Sequence, residues 1–253
     1  MKIVIPELND PTVQEAIQHF SNISFLPAES IEQAAKMIKD GVADSLLSGI
    51  DYPSRDVILS CKAHIPLKSP FFSSCFVCER NSDNQKLILA DGGVNKQPSK
   101  DQLYTIVEDT ATTYTSYYND QPRIAMLSYS TYGSGGKNPD LEKIHFCIDK
   151  IRENHPDWLI DGEMQLDAAI DEKIAAKKTP GSPVGGKANI LITPDLNSGN
   201  ILYKSLERFG SFAIAGPIIQ GFKKPLADLS RGSTVNDIIL TIKVLNKLYQ
   251  ERH

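Results

Sequence analysis

The stretch Ser30-Ile31-Glu32-Gln33-Ala34-Ala35-Lys36-Met37-Ile38-Lys39-Asp40-Gly41-Val42-Ala43-Asp44-Ser45-Leu46-Leu47 sets the class of fold. Ile31, Ala34, Ala35 and Ile38 recur at the spacing of one helical face, Ser30 and Gln33 have the spacing of a capping box, and Gly41 supplies a stop. Val42–Leu47 then reads as a strand. The same order holds just upstream, where Ile3–Ile5 reads as a strand and Asp10 with Pro11 opens a helix that puts Val13, Ala16, Ile17 and Phe20 on one face. Strands alternating with helices predict an α/β fold with a mostly parallel sheet covered on both faces, whose ligands gather at the carboxyl ends of the strands. Ser48, Gly49 and Asp51 fall at such an end.

Further along, Lys68–Val77 and Lys86–Leu89 read as strands joined by the polar turn Asn81–Gln85, and Ser99–Tyr118 as a helix with Leu103, Ile106, Val107 and Ala111 inward. Ile124–Ser128 is an apolar strand. It leads into Ser130-Thr131-Tyr132-Gly133-Ser134-Gly135-Gly136-Lys137, a loop rich in glycine and hydroxyls. Lys137 is followed by Asn138 rather than Ser or Thr, so this loop does not match the P-loop pattern for nucleoside triphosphates. A helix over Leu141–Glu153, a strand at Ile190–Ile192, a helix over Ser198–Phe209 and a returning strand at Phe212–Ile219 complete the plan. Asp161, Glu163 and Asp167 read as a hydrogen-bonded acidic loop rather than a catalytic carboxylate pair, and Lys173–Pro183 as a basic, Pro/Gly-punctuated stretch with solvated Lys177 and Lys178.

The 253 residues suit two compact lobes better than one core. A net charge of -4 argues against a general nucleic-acid binder. The opening Met1–Pro6 lacks the apolar region of a signal peptide and no run approaches a membrane span, so residence in the cytoplasm is expected, with no membrane partner. Four cysteines, Cys61, Cys75, Cys78 and Cys147, are too few and scattered for a disulfide framework. Cys75 and Cys78 fall in a β-prone run, where residues three apart point to opposite faces, and the histidines have no ligand spacing, so no metal is expected.

The chemistry concentrates at Asp228-Leu229-Ser230-Arg231-Gly232-Ser233-Thr234-Val235-Asn236-Asp237. Thr234 and Asp237 have capping-box spacing, and Ile238, Ile239, Ile242, Leu245 and Leu248 follow at helical intervals, so a loop ends where a helix begins. A helix start offers free N–H groups and a positive dipole end; with Arg231 and the Ser230 hydroxyl beside it, the spot suits phosphate or another anion. Local spacing leaves Asp237 open between a capping carboxylate and a reactive one.

Asp228–Gly232 followed by Ser and a later Asp resembles the C-terminal signature of the phosphate acetyltransferase and phosphate butyryltransferase family. Tyr-Ser-Thr-Tyr-Gly-Ser at 129–134, Asp-Gly-Glu-Met-Gln-Leu-Asp-Ala-Ala at 161–169, Pro-Gly-Ser-Pro-Val at 180–184 and the block 188–200 resemble family blocks in family order, while residues 1–65 match more loosely. The resemblance implies a two-lobed α/β/α fold of the isocitrate and isopropylmalate dehydrogenase type, with mostly parallel sheets. It implies a discontinuous first lobe, 1–66 with 218–253, a second lobe over 67–217, and an active cleft between them.

The implied reaction is reversible acetyl transfer between coenzyme A and inorganic phosphate, giving acetyl phosphate from acetyl-CoA, with coenzyme A as substrate and no cofactor. Its implied catalytic groups are Ser230, Arg231 and Asp237, with Asp237 as the base for the thiol; Ser128, Ser130, Thr131, Gly133, Ser134, Asn197 and Arg208 are implied to bind substrate. A homodimer is implied as well. The family carries an arginine directly before a proline where this chain has Leu59 and Ser60, and it has additional helices where this chain runs from Phe20 to Ser30. Arg55, one helical turn before Leu59, is expected to reach the same anion. A longer acyl chain such as butyryl, or a non-catalytic protein that binds acyl phosphate or coenzyme A, is the alternative.

Overall fold

The computed structural model describes residues 1–251. Its first elements are β1 (Lys2–Ile5), α1 (Pro11–Ile17), β2 (Ser24–Pro27), α2 (Ile31–Lys39), β3 (Ser45–Ser48), α3 (Ser54–His64), β4 (Ser73–Arg80), β5 (Gln85–Ala90) and α4 (Lys100–Tyr118). There follow β6 (Arg123–Leu127), α5 (Pro139–Asn154), β7 (Leu159–Met164), α6 (Leu166–Ile170), α7 (Glu172–Lys178), β8 (Ile190–Ile192), α8 (Leu196–Gly210), β9 (Ala213–Gln220), β10 (Leu226–Asp228) and α9 (Val235–Gln250). These elements form a mixed α/β fold. The chain divides into two compact units, Met1–Phe72 with the chain from Ala213 onward, and Ser73–Phe212.

In the first unit the strand order is β2-β1-β3-β10-β9, parallel except where β9 runs antiparallel to β10. Ile3, Ile5, Leu46, Leu47, Ala34 and Ala35 are buried with Ile238, Ile242 and Leu245 of α9. Ser30 caps α2 through Gln33 N–H, as its spacing predicts. The strand expected from Val42 begins only at Ser45, because the Val42 and Ala43 N–H groups both bond Met37 O and close the end of α2 as a turn. The stretch between Phe20 and Ser30, where no element was read, contains β2, which pairs in parallel with β1 from Ser24 to Pro27.

In the second unit the order is β4-β5-β8-β6-β7, parallel except for the antiparallel β4 and β5. The strand expected from Lys68 starts at Ser73, since the Lys68 and Ser69 N–H groups bond Gly221 O and tie that segment into the first unit. The full capping box of Ser99 and Gln102 starts α4. Two readings are corrected here. Asp161 and Glu163 lie within β7, not in a loop, with their carboxylates taken up by donors from neighbouring segments; and Glu172–Lys178 is helical, capped by Asp171. All four cysteines are buried and free. Among the described residues no helix is long and apolar enough to cross a membrane.

Candidate functional site

Because β1, β3 and β10 are parallel, the connections that leave them emerge at one edge of the first unit. Glu7, after β1, is 8% exposed and holds this edge together. Its Oε1 accepts Ser48 Oγ at 3.1 Å and Gly49 N–H at 2.9 Å, and its Oε2 accepts Ser48 Oγ at 2.9 Å. Leu229 N–H donates to Ser48 O at 2.5 Å, which fixes the end of β10 against the end of β3. Gly49 has φ +115°, and a Cβ there would fall on Asp228 Oδ1 and within 2.6 Å of Leu229 N, so glycine is required.

Asp228 closes β10 and is 1% exposed. The Ser54 hydroxyl at the start of α3 bonds its carboxyl group, while Oδ1 is buried without a hydrogen-bond partner. Burial pushes this carboxyl group up to about 7; the Ser54 hydroxyl opposes the shift and the Glu7 charge adds to it.

The chain then turns tightly. Ser230 N–H donates to Ser233 Oγ at 3.1 Å, Ser233 N–H donates to Ser230 O at 2.9 Å, and Arg231 stands exposed at the tip. Thr234 begins α9 with a complete capping box to Asp237. Asp237 is 5% exposed: Oδ2 accepts Thr234 N–H at 2.8 Å and Thr234 Oγ1 at 2.7 Å, and Oδ1 accepts Ile214 N–H at 2.8 Å. In this structure the Asp237 carboxylate is engaged both as the cap of α9 and as the anchor of β9.

Arg55 lies in the first turn of α3 and is exposed; the neighbouring Ser54 bonds Asp228, so Arg55 and Arg231 belong to the same edge of the first unit. Leu59, one turn on, is 51% exposed.

In the second unit β5, β8 and β6 are parallel, and the connections after Ala90, Ile192 and Leu127 share an edge. The loop after β6 is organised by Glu163, whose side chain has no exposed surface. Its Oε1 accepts Ser130 Oγ and Gly133 N–H, both at 2.7 Å, and its Oε2 meets His145 Nε2 at 2.5 Å. Burial alone would raise this acid; the Ser130 hydroxyl, the Gly133 N–H and the His145 ring outweigh it and hold the group down to about 2. Asp161 receives the Tyr132 hydroxyl and the Ser182 hydroxyl, both at 2.5 Å, and Arg152 at 3.1 Å.

Ser130 is 0% exposed and donates to Glu163, and the Gly133 N–H goes to the same carboxylate, so both donors are engaged within the loop. Ser128 Oγ accepts Ser130 N–H, Thr131 Oγ1 accepts Gln165 N–H and Ser134 Oγ accepts Thr131 N–H; with the Ser130 proton on Glu163, the Ser134 hydroxyl donates to Ser130 Oγ at 3.4 Å, which leaves the hydroxyl protons of Ser128 and Thr131 as donors of the loop. Asn197 is exposed in the first turn of α8, which Asp195 caps. Arg208 sits in the last turn of the same helix, paired with Glu207 at 3.6 Å, and the axial rise of about 16 Å between them means that Asn197 and Arg208 do not meet.

The family model for phosphate acetyl/butaryl transferase matches residues 24–245. The chain belongs to that family. A phosphate acetyltransferase of Clostridium acetobutylicum is 39% identical over 217 residues, 83% of this chain and 65% of the relative. One of Corynebacterium glutamicum is 34% identical over 254 residues, 95% of this chain and 76% of the relative. The chain thus spans 65% of the length of the first of these curated relatives. Among solved structures, a phosphotransacetylase from Streptococcus pyogenes superposes with a TM-score of 0.88 at 29% identity, covering 99% of this chain and 94% of the other. A 4-hydroxythreonine-4-phosphate dehydrogenase from Salmonella typhimurium shares the fold alone, with a TM-score of 0.58 at 11% identity.

Family blocks pointed to the Ser230–Arg231 loop, yet the three acids that hold the two edges, Glu7, Asp228 and Glu163, went unread as such. Asp228 and Glu163 stand within quoted blocks, and an acidic residue embedded in a strand is a usable signal, since it is stable there only with partners or a proton. Glu7, in the connection after β1, has no comparable local mark.

Proposed function

We propose that the protein transfers an acyl group reversibly between coenzyme A and inorganic phosphate, with acetyl as the group. Membership of the phosphate acetyl/butaryl transferase family is what carries this reading. The exposed Arg231 guanidinium, next to Ser230 and ahead of α9, agrees with it.

In the direction of thioester synthesis the coenzyme A sulfur attacks the carbonyl carbon of the acyl phosphate, and the bond from that carbon to the bridging oxygen breaks. The proton lost by the thiol leaves with the departing phosphate, so the reaction balances. A thiol with an ordinary pKa of roughly 8.5 is mostly protonated at neutral pH, and a guanidinium beside it favours the thiolate. The same fork of donors stabilises charge on the carbonyl oxygen and the leaving phosphate. Ser230 orients the reacting groups, and no acyl-serine forms. Arg55 supplies a second positive charge at this edge in place of the family arginine that Leu59 replaces. Ser128, Thr131, Ser134, Asn197 and Arg208 are substrate-binding groups in this reading, and the working form is a cytoplasmic homodimer.

Mixing acetyl, propionyl and butyryl phosphates with coenzyme A and following the loss of free thiol tests it. Turnover fastest with acetyl phosphate is expected. Binding of coenzyme A without thiol loss across the series contradicts the reading.

A further inference from the structure

Gly49 lies between two buried carboxyl groups with unequal surroundings. On one side Glu7 accepts Ser48 Oγ and Gly49 N–H, together with a longer bond of 3.4 Å from Asp51 N–H. On the other, Asp228 faces the Gly49 backbone with the Ser54 hydroxyl on its carboxyl group and nothing on Oδ1. Asp228 stands opposite Ser48 in the ladder of β3 and β10, two residues before Ser230.

We propose that Asp228 is a positioning residue for the Ser230–Arg231 loop, holding that loop against the Ser48–Gly49 turn as an uncharged carboxylic acid. The inference deepens the acyl-transfer reading and rests on it for one of its two readouts. A buried carboxyl oxygen without a donor favours the protonated form of its group, and Asp228 Oδ1 is such an oxygen, whereas both Glu7 oxygens have donors. The titratable groups around Asp228 are Glu7 from the β1–α1 connection and the Cys61 thiol from α3. From α9, also packed against β10, Asp237 turns to Thr234 and Ile214 instead. The Ser54 hydroxyl favours the anion, but burial and Glu7 outweigh it and raise the group to about 7.

Ionising Asp228 places a charge on an oxygen without a donor, 1% exposed and beside a second negative charge. That cost is relieved when water enters between the Ser48–Gly49 turn and Leu229. The movement displaces the loop that carries Ser230 and Arg231, so the geometry of that loop follows the proton on Asp228.

The test compares wild type and Asp228→Asn, whose amide keeps the shape and cannot ionise. Hydrogen–deuterium exchange of the peptide spanning 226–236, read as the wild-type to variant ratio at each pH, is expected near one at pH 6 and about threefold or more at pH 8.5. The ratio of variant to wild-type thiol turnover is expected to rise about as much over the same range. A flat exchange ratio overturns the inference, even with melting temperatures measured to be equal. A risen exchange ratio with no thiol turnover in wild type supports the loop's dependence on Asp228 and contradicts the acyl-transfer reading alone.

Discussion

Asp237 Oδ1 accepts the backbone N–H of Ile214 at 2.8 Å, which ties the first turn of α9 to the start of β9. The same carboxylate closes the capping box with Thr234 through its other oxygen. It fastens two elements of the first unit where the Ser230–Arg231 loop ends.

Asp237→Ala removes a cap and leaves the buried Ile214 N–H unmatched. Together these cost about 2–4 kcal/mol, or roughly 8–17 °C in melting temperature for a unit of this size. Thermal denaturation followed by circular dichroism measures this. An unchanged midpoint contradicts the fastening role.

Glu163→Gln tests the loop after β6. The native carboxyl group sits at about 2 against an ordinary 4.5, so its contribution is fully present above pH 4.5 and is lost as pH falls from there towards 2. The sign is that of an acid bound more tightly as its anion in the folded state. At pH 7 the substitution is expected to cost on the order of 3 kcal/mol, and the difference from wild type should shrink below pH 4. Denaturant titrations at pH 7 and pH 3.5 check both statements.

Gly49→Ala asks for a Cβ in space held by Asp228 Oδ1 and the Leu229 backbone, at a φ of +115°. Overpacking and backbone strain together are expected to cost about 3 kcal/mol or more. The ends of β3 and β10 would separate, and turnover would fall along with stability. Urea titration and thiol assay on the same preparation read the two losses side by side.

Regular elements were legible where pattern and cap agreed. The face of Ile31, Ala34, Ala35 and Ile38 with the Ser30 cap gave α2, and Ser99 with Gln102 gave α4, because these signals act within a few residues. β2 and β7 were hidden for opposite reasons. The residues Ser24–Pro27 are too few and too mixed in polarity to mark a strand, whereas Asp161 and Glu163 make β7 look solvated although both carboxylates are buried and held by donors distant in sequence. The candidate site divides along the same line. Family blocks located the Ser230–Arg231 loop and the hydroxyl loop at 128–134, but which hydroxyls and N–H groups are already bonded depends on Glu163, roughly thirty residues downstream. Asp237 has the spacing of a cap, but its bond from Ile214 N–H, twenty-three residues upstream, has no local mark.

The most direct measurement of the central claim is loss of free thiol when acetyl phosphate and coenzyme A are mixed with wild type and with Arg231→Ala. Arg231 is exposed, so the substitution is expected to leave melting unchanged. Losing one preorganised donor is expected to raise the barrier by ~3–4 kcal/mol, which lowers turnover by roughly 100-fold or more. Equal turnover by the two proteins, or none by wild type, would contradict acyl transfer at the Ser230–Arg231 loop.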